Sequence, residues 1–325
     1  MKFSLFDRTS LNIKPLAYRQ HDLDISIISE LNSNRNARLD KRFRKIAKHI
    51  MHAKRNNASI ILMMGGHVIR SGVQRYIIDL MERGTISCVA TNGAAMIHDF
   101  EFALVGATTE SVAKYIQEGQ FGLWKEMGML NYIINKAYRE DDLFGMGEAV
   151  GQAIYNGDFP YKEISLFAAA YRLNIPITVH VGIGYDINHE HPNCNGAATG
   201  ALSYNDFLKF VSIVQRLDHG VVMNFGSAVM APEVFLKALS MARNIAHQQG
   251  KVIKHFITLV CDLHPLPEDY RKEPNKNSPA YYFRPWKTML IRTVADGGES
   301  FYIKGKHANT IPELWTAIKE EEKNY

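Results

Sequence analysis

The stretch from Ser59 to Asp99 constrains the fold of this chain more than any other. It opens with the apolar run Ile60-Ile61-Leu62-Met63-Met64, followed by Gly65-Gly66-His67-Val68-Ile69-Arg70-Ser71-Gly72. Val73, Tyr76, Ile77, Leu80 and Met81 then recur at helical spacing, with Gly84 as a stop. A second apolar run, Ile86 to Ala90, leads into Thr91-Asn92-Gly93. The pattern predicts a β-α-β unit whose strands both end in small or polar residues just before a helix. Open α/β sheets hold ligands at such strand ends. Ser71 is placed to cap the first helix, whose free N–H groups would attract an anion such as a phosphate. The G-x-G-x-x-G dinucleotide fingerprint is absent, so this unit alone does not define a dinucleotide site.

The same rhythm returns later. Helices are expected over 164–173, 207–217, 233–247 and 311–321, with strands over 175–181, 221–224, 253–260, 289–294 and 300–303. Alternating elements with near-continuous apolar strands predict an α/β fold, a mainly parallel Rossmann-like sheet covered by helices on both faces. Residues 1–58 are polar and read as an N-terminal helical extension with a loop around 32–36. Residues 59–325 read as a single α/β domain, in which 119–151 supplies helices joined by loops.

A net charge of +5 is too mild for a dedicated nucleic-acid binder. The basic residues between Lys41 and Arg55 have the spacing of an exposed helix face, with Phe43, Ile46, Ile50 and Met51 turned inward. No apolar stretch is long enough for a membrane span, and the first residues lack the apolar core of a signal peptide. Cys88, Cys194 and Cys261 form no C-x-x-C pair, which points to a reducing cytoplasm. The expectation is a cytoplasmic protein with no nucleic acid and no membrane.

Three later stretches carry polar chemistry. Asp186, His189, His191 and Cys194 crowd one loop after the 175–181 strand. Imidazole, thiolate and carboxylate all suit zinc, but the same groups serve equally as hydrogen-bonding contacts to a substrate or as structural residues. Asn224-Phe225-Gly226-Ser227-Ala228 ends a strand with room for close backbone approach. Cys261-Asp262-Leu263-His264 ends the next, where Asp262 suits a ribose hydroxyl better than Cys261 suits nucleophilic attack.

These motifs, in this order, resemble the deoxyhypusine synthase family. That family carries an N-L-I-S-S-G-like turn and then T-A-G followed by E-E-D-L. The counterparts here are His67-Val68-Ile69-Arg70-Ser71-Gly72, Thr91-Asn92-Gly93 and His98-Asp99-Phe100. The resemblance covers Ser59 to the C-terminus and implies an NAD site and a homotetramer. It places Gly66, His67, Ser71 and Gly72 at the cofactor, with Thr91, Asn92, Gly93, His98 and Asp99, and with Gly226 and Asp262. It places Asp186, His189, His191 and Trp286 near the substrate, with metal not required. The family's catalytic lysine lies in S-W-G-K-I on a late strand. Here the chain reads Arg284-Pro285-Trp286-Lys287-Thr288, without the glycine. Lys287 reaches the imine-forming position only if a bulge restores the register, since a one-residue slip on a strand reverses a side chain. The family's acidic polyamine patch is replaced by Arg271-Lys272-Glu273-Pro274-Asn275-Lys276-Asn277, which favours an anion. The resemblance therefore implies an NAD-dependent transferase or oxidoreductase acting on a small, anionic molecule other than spermidine. A true deoxyhypusine or homospermidine synthase, or a non-catalytic nucleotide-binding protein, are the alternatives.

Overall fold

The computed structural model describes residues 3–32, 39–141 and 143–324. Part of the loop expected around 32–36 therefore lies outside the described residues.

Among the described residues, six strands form one parallel sheet: β1 (Ile60–Met64), β2 (Cys88–Asn92), β3 (Ile177–His180), β4 (Val221–Phe225), β5 (Ile257–Asp262) and β6 (Glu299–Lys304). Their spatial order is β3-β2-β1-β4-β5-β6. The chain winds outward from β1 to β3, then returns to place β4 on the other side of β1. This is the doubly wound Rossmann order, and the crevice between the ends of β1 and β4 is its topological switch point.

β1 is wholly apolar and all six strands are largely buried, because both faces of the sheet are covered. With side chains alternating across the sheet, Ile60, Leu62 and Met64 of β1 enter one core with Val221, Met223 and Phe225 of β4. Ile61 and Met63 enter a second core on the opposite face, with Val222 and Val260. Register is fixed by pairs such as Leu62 with Val89 and Leu62 with Met223. The helix Gly93–Val105 starts at Asn92, whose Oδ1 accepts from the Ala95 N–H, and stops at Gly106 in the left-handed region.

Two expectations are corrected. Residues 289–294 do not form a strand: Pro285–Arg292 is a π-helix. Trp286, Met289 and Leu290 all enter the second core, and their i, i+3, i+4 spacing suits one face of a helix rather than an alternating strand. The first 58 residues are also less helical than their pattern suggests. Their one α-helix among the described residues is Lys41–Arg55, and the remainder are short 3-10 turns and a two-residue strand. Their backbone groups pair with the rest of the chain instead: Lys14 N–H with Leu123 O, Ile25 N–H with Gly106 O, and Ser29 N–H with Gly72 O. Phe43, Ile46 and Ile50 of the helix enter the first core. Its basic face is exposed and ion-paired, Lys45 to Glu299 and Arg44 to Glu320. No helix among the described residues is long and apolar enough to cross a membrane.

Candidate functional site

A cavity of about 600 Å³ opens at the carboxyl ends of β1, β2, β3 and β4. Its floor is backbone: Gly65 and Gly66 after β1, Gly93 after β2, Gly182 after β3 and Gly226 after β4. Close approach explains two of these glycines. A Cβ on Gly65 would lie 2.7 Å from Gly226 O, so only a bare backbone lets the two loops meet. Gly226 is left-handed, with φ +65°, and a Cβ there would lie 2.4 Å from His307 Nε2.

The loop after β4 is held from below. Buried Asn224 donates from Nδ2 to Ser227 O and accepts at Oδ1 from Ser227 N–H, at 2.9 and 3.1 Å. Ser227 Oγ in turn accepts from Ala231 N–H at the start of the helix Met230–Gln248. The turn is thereby aimed at the cavity mouth.

Opposite stands Asp186. It is buried, and its carboxyl lies against Gly93 at the start of the Gly93–Val105 helix. A helix N-terminus favours the carboxylate, but burial outweighs this and pushes the pKa up to about 6. His180, at the end of β3, is driven the other way: burial lowers it to about 4, and its Nε2 meets Thr178 Oγ1. The wall therefore offers a neutral imidazole and a carboxyl that titrates near neutrality.

A second chamber of about 300 Å³ adjoins the first. Arg70, Ala94, His98, Tyr185 and Asp186 line both. The deeper walls carry Arg19 and Asp22 from the N-terminal segment, Glu101 from the Gly93–Val105 helix, and Glu110. Arg19 and Glu101 form a buried ion pair of 2.6 Å. Glu110 accepts from Gly122 N–H and Trp124 Nε1, and burial raises its pKa.

The structure brings together Gly66, His67, Asn92, Gly93, His98, Asp186 and Gly226 from the sequence-predicted set. It places the others elsewhere. Ser71 does not cap the following helix; its Oγ donates to His67 O, and the helix Gln74–Glu82 begins beyond Val73. Gly72 is left-handed, and a Cβ there would strike Ile27 O at 2.0 Å, so the bare backbone serves as a seat for the N-terminal segment. Thr91 Oγ1 donates to Met64 O across the strand ends. Asp99 accepts from Ser165 Oγ and from Leu166 and Phe167 N–H, anchoring the helix Leu166–Arg172, and burial raises its pKa to about 6. Asp262 accepts from Leu263 and His264 N–H in its own turn.

The histidine loop is likewise turned to structure. His189 Nδ1 accepts from Gly184 and Asp186 N–H, and His191 Nε2 donates to Gly122 O. These bonds shape the loop that carries Asp186. Cys194 Sγ lies 4.0 Å from Thr199 Oγ1. Among the described residues, the group with ligand atoms close enough for a metal is Asp218, His219 and His255, away from this loop.

Trp286 Nε1 donates to Tyr270 O within the second core. Lys287 is buried beside it, with Nζ 3.6 Å from the centroid of the Tyr281 ring, and it lines neither cavity. The basic 271–277 loop also lies outside both linings: Arg271 approaches Glu299 and Lys272 pairs with Asp269. It gives no support to an anionic substrate.

His180 and Tyr185 were not singled out by sequence reasoning, Arg70 and Ser227 only as members of their motifs, and the walls that Arg19, Glu101 and Glu110 give the second chamber were missed. His98 and Glu101 share a helix face at i, i+3, which a helical reading can find. The 82-residue separation of Arg19 from Glu101 hides the ion pair from any local pattern.

A family model described as the arginine dihydrolase ArgZ-like, C-terminal, Rossmann fold domain matches residues 44–139, less than half of the chain. At the level of sequence, no curated protein matches. Solved structures share the fold at low identity. AgrE in ternary complex with ornithine and NAD+ has 11% identity and TM-score 0.50, covering 92% of this chain and 35% of that one. A conserved putative LOR/SDH protein from Methanococcus maripaludis S2 has 15% identity and TM-score 0.50, covering 90% of this chain and 73% of that one. A putative deoxyhypusine synthase from Entamoeba histolytica has 12% identity and TM-score 0.45, covering 91% and 86%. The chain spans about a third of the length of AgrE.

Proposed function

We propose that this chain binds NAD in the cavity at the strand ends and uses it in redox or transfer chemistry on a small molecule other than spermidine. One observation carries the reading: a glycine-floored cavity of about 600 Å³ lies on the switch point of a doubly wound sheet. Its size falls in the usual range for cofactor sites. The backbone at Gly65, Gly66 and Gly226 would admit a dinucleotide closely, with the turn braced by Asn224 beside it. Arg70 adds positive charge near a pyrophosphate, and His67, its pKa lowered by burial and by Arg70, adds a neutral imidazole. AgrE, which shares the fold, was captured with NAD+ and ornithine.

When bound, NAD+ supplies a two-electron acceptor. The protein's part is to orient the substrate, exclude water and move a proton. His98 and Asp186 stand where both cavities meet and are the groups for that work. Lys287 takes no part in this reading, since its amine lies over Tyr281. A homo-oligomer belongs to the same reading, and light scattering tests it.

A second reading is a nucleotide-binding protein without catalysis, favoured by the position of Lys287. Native mass spectrometry of freshly purified protein, followed by NAD+ titration in a thermal-shift assay, tests the shared premise. A bound mass matching NAD, or a saturable rise in Tm, supports it. Neither a bound nucleotide nor a shift overturns it. NADH formation on a panel of alcohols, amines and amino acids separates the enzyme from the binder.

A further inference from the structure

A buried chain of hydrogen bonds ends at the junction of the two cavities. Arg19 Nη1 donates to Glu101 Oε1 at 2.6 Å. Thr108 Oγ1 donates to the other oxygen, Glu101 Oε2. Thr108 Oγ1 also meets His98 Nδ1 at 2.8 Å. A hydroxyl has one proton to give, and here it goes to the carboxylate. Thr108 must then accept from His98, so His98 carries its proton on Nδ1 and presents Nε2 as a lone pair.

The carboxylate stays ionised through this arrangement. Burial opposes ionisation of Glu101, but the nearby His98 ring, the Arg19 charge and the hydrogen bonds from Arg19 and Thr108 outweigh it and bring its pKa down to about 2. Both partners of the ion pair are nearly inaccessible, with side-chain exposures of 1% and 2%. Burying such a pair is costly, and an apolar pair often serves stability as well. The His98 side chain keeps 18% of its surface accessible and lines both cavities. If His98 gains a proton, the Glu101 oxygen at 3.9 Å from its Nδ1 stabilises the imidazolium.

We propose that the smaller chamber is the substrate side of the site and that His98 is its proton acceptor, held by Thr108, Glu101 and Arg19 as positioning residues. The proposal rests on the NAD reading above. The substrate class is a molecule with an alcohol or amine on a carbon that bears hydrogen. Its O–H or N–H bond breaks and the proton goes to His98 Nε2. Its C–H bond breaks with the electron pair, which passes to the oxidised nicotinamide ring. A C=O or C=N double bond forms in the substrate, so charge and electrons balance. Asp186, across the same junction, faces the substrate as the second titratable group.

The test is ¹⁵N-histidine NMR on the full chain, with His98 assigned by the resonance lost in His98→Gln. The wild type is expected to show the Nδ1–H tautomer, and NAD+ is expected to move the His98 resonances. Thr108→Val is expected to redistribute the tautomer while leaving the other histidines in place. An Nε2–H tautomer in the wild type overturns the proposal. So does saturable NAD+ binding that leaves His98 unmoved. If NAD+ does not bind at all, the NAD reading fails, and the proposal built on it falls with it even where the Nδ1–H tautomer is observed. With any substrate found in the panel, His98→Gln should lose about 100-fold or more in kcat, and Thr108→Val should shift the pH profile. Unchanged kcat in His98→Gln overturns the assignment.

Discussion

The Asp186 carboxyl rests directly on Gly93, so closely that a Cβ on Gly93 would lie 2.0 Å from Asp186 Oδ2. The contact joins the end of β2 to the loop after β3 and fixes one wall of the cavity. Gly93→Ala must push the loop away. Alanine is ordinarily the better helix former, but overpacking at this first helical position should cost about 1–3 kcal/mol. A lowered urea midpoint, with weaker NAD+ binding, is the expected outcome.

Burial of Asp186 also sets a pH dependence. Its folded pKa is about 6 against an ordinary 3.8, so between these values the native chain holds a proton that the unfolded chain has lost. Its contribution is therefore most favourable below the lower value and declines as pH rises through the window. Asp186→Asn should remove this slope and stabilise the protein at pH 8 by on the order of 1–3 kcal/mol. Denaturant melts at acidic and alkaline pH, wild type against variant, measure it directly. Asp99 and Asp206, raised to about 6 and about 7 by burial, retain their own contributions of the same sign.

The Arg19–Glu101 pair ties the N-terminal segment to the helix after β2. Arg19→Met leaves a buried carboxylate without its cation and should cost about 3–5 kcal/mol. Adding Glu101→Leu to that variant should recover part of the loss. Urea unfolding of both variants checks the order.

Asn224 braces the turn after β4 with two hydrogen bonds to Ser227. Asn224→Ala should cost about 1–3 kcal/mol and weaken NAD+ binding by releasing the turn. Calorimetric titration of the variant measures the second effect.

Lys287 is expected to be dispensable for cofactor binding. Its Nζ lies over Tyr281 and away from both cavities. Lys287→Met should keep NAD+ affinity and any turnover found. A lost activity in a folded variant would restore the amine to the mechanism.

The centre of the sheet was legible because its strands are mainly apolar runs that lead into glycine or small polar residues. Ile60–Met64 before Gly65 and Val221–Phe225 before Gly226 declare both their burial and their ends. Gly66, Gly93, Asp186 and Gly226 could be placed near the site for the same reason: each follows a strand at its carboxyl end. The errors arose where local pattern has two solutions. Met289-Leu290-Ile291 fits a short strand, yet Trp286 before it supplies the spacing of a helix. Asp99 reads as the acid closing the motif after the second strand but sits nearly two turns into its helix, where it meets Ser165. The second chamber could be read only at His98 and Asp186, which it shares with the first. Arg19 and Glu110 are brought to Glu101 by backbone pairing of the N-terminal segment with the 106–109 stretch, as in Ile25 N–H to Gly106 O and Asp22 N–H to Thr109 O.

The most direct test of the central claim is isothermal titration of the purified wild-type chain with NAD+, after removal of any nucleotide carried through purification. The account predicts saturable binding at one site per chain, weakened by Gly93→Ala and Asn224→Ala and unaffected by Lys287→Met. A folded wild-type protein that takes up no NAD+ would contradict it.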